Sequence, residues 1–94
     1  MDTRRQLKTI NTIEFGLSKR INIAVDNENN HYVVKNIKSR IIMKDGKKIS
    51  EIAKIIKTKK NKNVLLATTA PVCSKTKKHL KEKDINIVES YIVS

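Results

Sequence analysis

Asn63-Val64-Leu65-Leu66-Ala67-Thr68-Thr69 is a near-continuous apolar run between two lysine-rich segments, and its reading decides the fold. Uninterrupted apolar residues of strand length mark a strand covered on both faces. Before it, Ile49, Ile52, Ala53 and Ile56 form the apolar stripe of a helix ending near Lys59, with Ser50 as its expected N-cap and Ile49 as the staple residue. After it, Ala70-Pro71-Val72 ends the strand, and Ser74 is placed to cap a helix running to Lys83 whose apolar side is little more than Val72, Cys73 and Leu80. Such a helix is an outer layer. Asp84 then leads into the strand Ile85-Asn-Ile-Val88, and Tyr91-Ile-Val93 makes a last short extended piece.

Upstream, Ile21-Asn-Ile-Ala-Val25 alternates before the turn cluster Asp26-Asn-Glu-Asn-Asn30, and His31-Tyr-Val-Val-Lys-Asn-Ile37 reads as the returning strand of a hairpin. Arg40-Ile-Ile-Met43 is expected to continue that strand or to lie beside it, stopping at a turn over Lys44-Asp45-Gly46-Lys47. Leu7, Ile10, Ile13 and Leu17 recur at helical spacing between Arg4 and Arg20, so the chain is expected to open with an amphipathic helix. The order is helix, two or three strands, helix, strand, helix, strand. The fold class is α/β, a small mixed sheet with flanking helices in one basic domain spanning residues 1–94.

Composition narrows the partners. The chain carries 21 Lys and Arg against 9 acids, a net charge of +12, and the segment from Lys35 to Lys83 alone holds 16 basic and 3 acidic residues. A field of this strength attracts phosphate through counterion release, which makes nucleic acid the expected large partner. A lysine-coated solvated surface is the bland alternative. No lipidation signal or apolar anchoring face supports a polybasic membrane patch, and no membrane partner is expected. With a single cysteine, no signal peptide and no long apolar span, the expected location is intracellular, with nucleus, cytoplasm and viral factory not distinguishable. Lys outnumbers Arg by 17 to 4, which favours point-charge contact with phosphate over bidentate reading of bases. Aromatics at 3% leave too few rings for a base-stacking platform.

The lysines expected to touch nucleic acid are Lys54, Lys57, Lys59, Lys60 and Lys62 on and after the first inner helix, and Lys75, Lys77, Lys78 and Lys81 on the second. Parallel neighbours in successive crossovers place both helices on one side of the sheet, so the two clusters merge into a strip. Taken singly, each is also an ordinary solvated lysine. His31 and His79 lack metal-ligand spacing, Cys73 has no thiol partner, and no Gly-rich phosphate loop or Ser-His-Asp order appears.

Metal-dependent DNA cleavage uses carboxylates to hold Mg²⁺ and a lysine beside the attacking water, projected from the ends of adjacent strands. Here Glu14, Ile23-Ala-Val-Asp26 and Tyr32-Val-Val-Lys-Asn-Ile-Lys38, followed by a helix and Val64-Leu-Leu-Ala-Thr-Thr69, resemble the core of the restriction-endonuclease-like, or PD-(D/E)xK, fold. The later progression through Ser74-Lys-Thr-Lys-Lys-His-Leu80 to Ile85-Asn-Ile-Val88 is similar to the second half of Mrr-type restriction nucleases. The family's acid before the lysine falls on Asn36, a neutral and poor Mg²⁺ ligand. The resemblance therefore carries over Asp26 and Lys38 as catalytic candidates, with Glu51 as a substitute acid from the helix and Mg²⁺ as the cofactor of that reading. The alternative makes Asp26 the start of an Asx turn, Lys38 a solvated lysine and Glu51 a helix-N-terminal charge.

Arg4-Arg-Gln-Leu-Lys-Thr-Ile10, Ala70-Pro-Val-Cys-Ser-Lys-Thr-Lys-Lys-His-Leu80 and Ile85-Asn-Ile-Val-Glu-Ser-Tyr-Ile-Val93 resemble the jaw domain of the fifth subunit of nuclear RNA polymerases, a nuclease-like fold without its active site. That family's assembly domain has no counterpart here. The resemblance implies a non-catalytic, nucleic-acid-contacting subunit of a DNA-dependent RNA polymerase, part of a larger complex, touching duplex DNA and using no cofactor. The alternatives are a Mg²⁺-dependent endonuclease and a small basic ribonucleoprotein component.

Overall fold

The computed structural model describes residues 5–17, 21–60 and 63–93. Six strands form one mixed sheet: β1 (Arg5–Ile10), β2 (Asn22–Val25), β3 (His31–Lys35), β4 (Val64–Thr68), β5 (Asn86–Val88) and β6 (Tyr91–Val93), ordered β5-β4-β3-β2-β1-β6. Strands β1, β2 and β3 run antiparallel as a meander, whereas β3, β4 and β5 are parallel and joined by helices α1 (Met43–Lys60) and α2 (Ser74–Glu82). The hairpin, the central strand and both helical crossovers thus match the sequence reading. The expectation of a mixed α/β sheet with flanking helices holds.

The helices bury one face of the sheet. Ile49, Ile52, Ala53 and Ile56 of α1 and Leu80 of α2 pack with Ile23, Val33, Val64 and Leu66, all within 4% of full burial. The opposite face has no helix among the described residues, yet Leu7, Ala24, Tyr32 and Ala67 on it are as deeply buried. Curling of the sheet explains this. Strands β5 and β6 sit at opposite edges but are linked only by Glu89 and Ser90. Six flat strands would put those edges about 24 Å apart, while a link of this length spans roughly 11 Å at most. The edges must approach, and the side chains between them are enclosed.

The opening segment departs from the expected helix. Arg5–Ile10 is a strand pairing with β2 and β6, followed by a 3-10 turn over Thr12–Phe15, while Arg4 and Arg20 lie outside the described residues. The helical spacing arises from residues serving different purposes: Leu7 enters the helix-free core, Ile10 and Leu17 border the other, and Ile13 is 57% exposed. Asn11 accepts the Ile13 N–H and Gly16 closes the turn at φ 69°, a left-handed conformation that costs glycine little.

The strand expected over Arg40–Met43 reduces to a single bridge between Ile41 and Val72, because α1 already begins at Met43. Asp45 reaches back to accept the Ile42 N–H at 3.2 Å, half of a capping box, so the expected turn over residues 44–47 is the first turn of the helix. Ser50 therefore lies inside α1, its hydroxyl donating to the Lys47 carbonyl, and is not an N-cap. At α2 the cap position belongs to Cys73, with Ser74 as the first helical residue.

Candidate nucleic-acid interface

Helices α1 and α2 lie side by side on the same face of the sheet, running in the same direction. Gly46 faces Thr76, Ser50 meets His79 at 3.3 Å, and the Lys57 ammonium donates to the Lys83 carbonyl at 3.2 Å. A Cβ on Gly46 would stand 2.7 Å from Thr76 Cγ2, so the absence of a side chain there sets how closely the helices approach. Their outward faces carry exposed Lys54, Lys59, Lys60, Lys75, Lys77, Lys78 and Lys81, with Lys57 half-buried at the seam. The Lys60 ammonium also lies 5.9 Å from the centre of the Phe15 ring. Lys62 falls outside the described residues.

At the ends of α1 and α2 a groove of about 720 Å³ is lined by Lys57, Lys81, Asn30, Asn63, Asn86 and Asp84, among others. Asn63 and Asn86 escaped the sequence reading because both read only as polar residues at the starts of apolar strands. Their shared position at the starts of neighbouring parallel strands was the available signal. At the other end of the sheet, a cleft of about 460 Å³ is lined by Thr9, Asn22, Asn36, Thr69 and Tyr91 with Val34 and Val93. That lining is mixed polar and apolar, and among the described residues it carries no carboxylate.

Asp26 sits at the tip of the β2–β3 hairpin. One carboxylate oxygen accepts the backbone N–H groups of Glu28 and Asn30 at 2.9 and 3.0 Å; the other accepts the Asn30 amide at 3.2 Å and the Tyr32 hydroxyl at 2.8 Å. Arg5 donates to the Tyr32 oxygen at 2.6 Å and stands 4.0 Å from the carboxylate. Burial alone would raise the Asp26 pKa, but the hydrogen bonds from Tyr32, Asn30 and Glu28 overcome it and hold the group below its ordinary value. Burial, and then the bond to Asp26, push the Tyr32 hydroxyl upward.

The three nuclease candidates are not brought together. Asp26 adjoins the pair Val25 and His31, whereas Lys38 lies three residues past Lys35, so the length of β3, about 13 Å, and more separates them. Glu51 is on the outer side of α1 and lines a groove with Lys54, Thr58 and Lys83, not with Lys38. Asn36 borders the carboxylate-free cleft. Among the described residues no three His, Cys, Asp or Glu side chains gather to hold a metal ion. Asp26, with both oxygens already engaged, and neutral Asn36 do not make a Mg²⁺ site.

The architecture is that of the restriction-endonuclease-like class, as its solved neighbours indicate. An apo structure of EndoMS superposes with a TM-score of 0.63 at 11% identity over 92% of this chain and 37% of that one. EndoMS in a complex with dsDNA gives 0.67 at 11% identity, covering 88% and 36%. A repair endonuclease from Pyrococcus abyssi gives 0.61 at 15% identity, covering 74% and 31%. At such identities the likeness concerns the fold alone, and the chain spans about a third of each neighbour's length. No family model matches the sequence, and no curated protein matches it at a significant level. These neighbours fit the nuclease-like fold and give no support to the polymerase-jaw resemblance. No described helix is long and apolar enough to cross a membrane.

Proposed function

We propose that this chain is a duplex-DNA-binding domain of restriction-endonuclease-like fold that grips the phosphate backbone through Lys54, Lys57, Lys59, Lys60, Lys62, Lys75, Lys77, Lys78 and Lys81, without a metal. The observation that carries the reading is the side-by-side packing of both lysine-bearing helices on one face of the sheet. A predominantly basic surface of that kind releases counterions when it meets a polyphosphate, whatever the base sequence. The solved EndoMS–dsDNA complex supports duplex DNA as the partner.

A second reading, divalent-metal-dependent DNA cleavage, is favoured by the nuclease neighbours and opposed by the carboxylate-free cleft. One experiment separates the two. Duplex and branched DNA are incubated with the protein and Mg²⁺ or Mn²⁺, and binding is followed in parallel at several salt concentrations. The expected outcome is salt-sensitive, sequence-tolerant binding with intact DNA. Metal-dependent cuts that disappear in the Asp26→Ala or Lys38→Ala variant would establish the nuclease instead, and a strong preference for folded RNA would contradict the duplex-DNA reading.

A further inference from the structure

The lysines on α1 and α2 extend along the whole length of both helices, so the DNA-binding reading leaves open where the phosphate chain crosses the molecule. Resting on that reading, we infer that the phosphodiester backbone seats in the groove at the C-terminal ends of α1 and α2, held by Lys57, Lys81, Asn63 and Asn86, and that the cleft beside Asn36 is not its contact.

Four elements bring these groups together. Lys57 comes from α1, Lys81 from the last turn of α2, Asn63 from the residue before β4, and Asn86 from the first residue of β5. Ammonium and carboxamide groups are among the side chains that bond phosphate oxygens and so position a duplex without carrying sequence information. Asn30 also borders the groove, with one of its two amide hydrogens already given to Asp26. The groove's size of about 720 Å³ suits a short run of backbone and exceeds that of the cleft, about 460 Å³.

Two features oppose an anion here, and neither is large enough to win. Helix C-termini carry partial negative charge, whose effect at exposed sites is weak and falls off within the last turn. Lys57 answers part of it directly by donating to the Lys83 carbonyl, and an ammonium retains further donors. Asp84 places a carboxylate at the rim, in a left-handed conformation at φ 60° that asparagine adopts equally well. One removable acid inside a basic groove supplies a test of opposite sign.

Fluorescence anisotropy with a labelled mixed-sequence DNA duplex, titrated with the full chain across a salt series, decides the matter. Lys57→Gln/Lys81→Gln is expected to reduce the slope of log K against log salt by about two and weaken binding by roughly 50- to 100-fold near 0.1 M salt, the difference vanishing near 1 M. Lys81→Gln alone, at an exposed position, should reduce the slope by about one. Asp84→Asn should tighten binding. The control is Lys44→Gln/Lys48→Gln, which removes the same charge from exposed sites at the far end of α1, about 13 Å or more from Lys57 and beyond a Debye length at physiological salt. Its slope should match that of the unaltered protein. Equal losses in both double variants, or an Asp84→Asn variant that binds no better, would overturn the groove while leaving DNA binding intact. Failure of the unaltered chain to bind the duplex would overturn both.

Discussion

Asp26 shows how one residue type serves two opposite readings. Its position at the end of a strand made it a metal-ligand candidate, while its place in Asp26-Asn-Glu-Asn-Asn30 made it the first residue of an Asx turn. The side chain makes the turn: it accepts N–H groups from Glu28 and Asn30 and anchors Tyr32, leaving neither oxygen idle. A carboxylate that binds more hydrogen-bond donors when folded has a depressed pKa. Its stabilisation is complete above the ordinary carboxylate value, near 3.9, and is lost as the pH falls through the folded one. Asp26→Asn is accordingly expected to cost roughly 1–2 kcal/mol at pH 7, the difference between charged and neutral acceptors. Urea denaturation followed by circular dichroism should show that gap shrinking near pH 3. A gap of the same size at both pH values would mean that the charge contributes nothing.

Among the elements, those dictated by burial were legible and those dictated by pairing were not. The central strand Val64–Thr68 announces itself because both its faces are covered, and α1 because four apolar residues follow one stripe. β1 was hidden because only Leu7 of its six residues is fully buried, and because its partner β6 comes from the far end of the sequence. The start of α1 was hidden by Gly46, which reads as a turn but is a helical residue kept bare by its neighbour. Gly46→Ala gains about 1 kcal/mol of helix propensity and meets the buried Thr76 methyl at 2.7 Å, a contact that must be relieved. Overpacking of this kind costs about 1–3 kcal/mol, so the net effect should be destabilising. Adding Thr76→Ser, which deletes that methyl, should recover most of the loss. Thermal melts of the single and double variants check this, and a stabilising Gly46→Ala would show that the helices have room to spare.

At the scale of the molecule, nothing in the local sequence reveals that the sheet curls, because curling is a consequence of topology: two residues must carry the chain from one edge strand to the other. The same curl explains why the candidate site was only partly readable. Lysine content and the two crossovers predicted a basic helical face, but which polar groups meet at each end of the sheet depends on strand register, and register separates Asp26 from Lys38. The curl itself has a measurable signature. Leu7 is 1% exposed on a face without a helix, whereas in an open sheet its strand would present it to water. Leu7→Ala should therefore cost about 2–5 kcal/mol, as much as truncating Ile49 beneath the helices. Because the chain lacks tryptophan, far-ultraviolet circular dichroism in urea is the suitable readout, with the two variants compared at matched slopes. A loss below about 1 kcal/mol at Leu7 beside a full loss at Ile49 would mean that the edges stand apart, since only a sheet folded over on itself makes a helix-free side chain as expensive to remove as one in the main core.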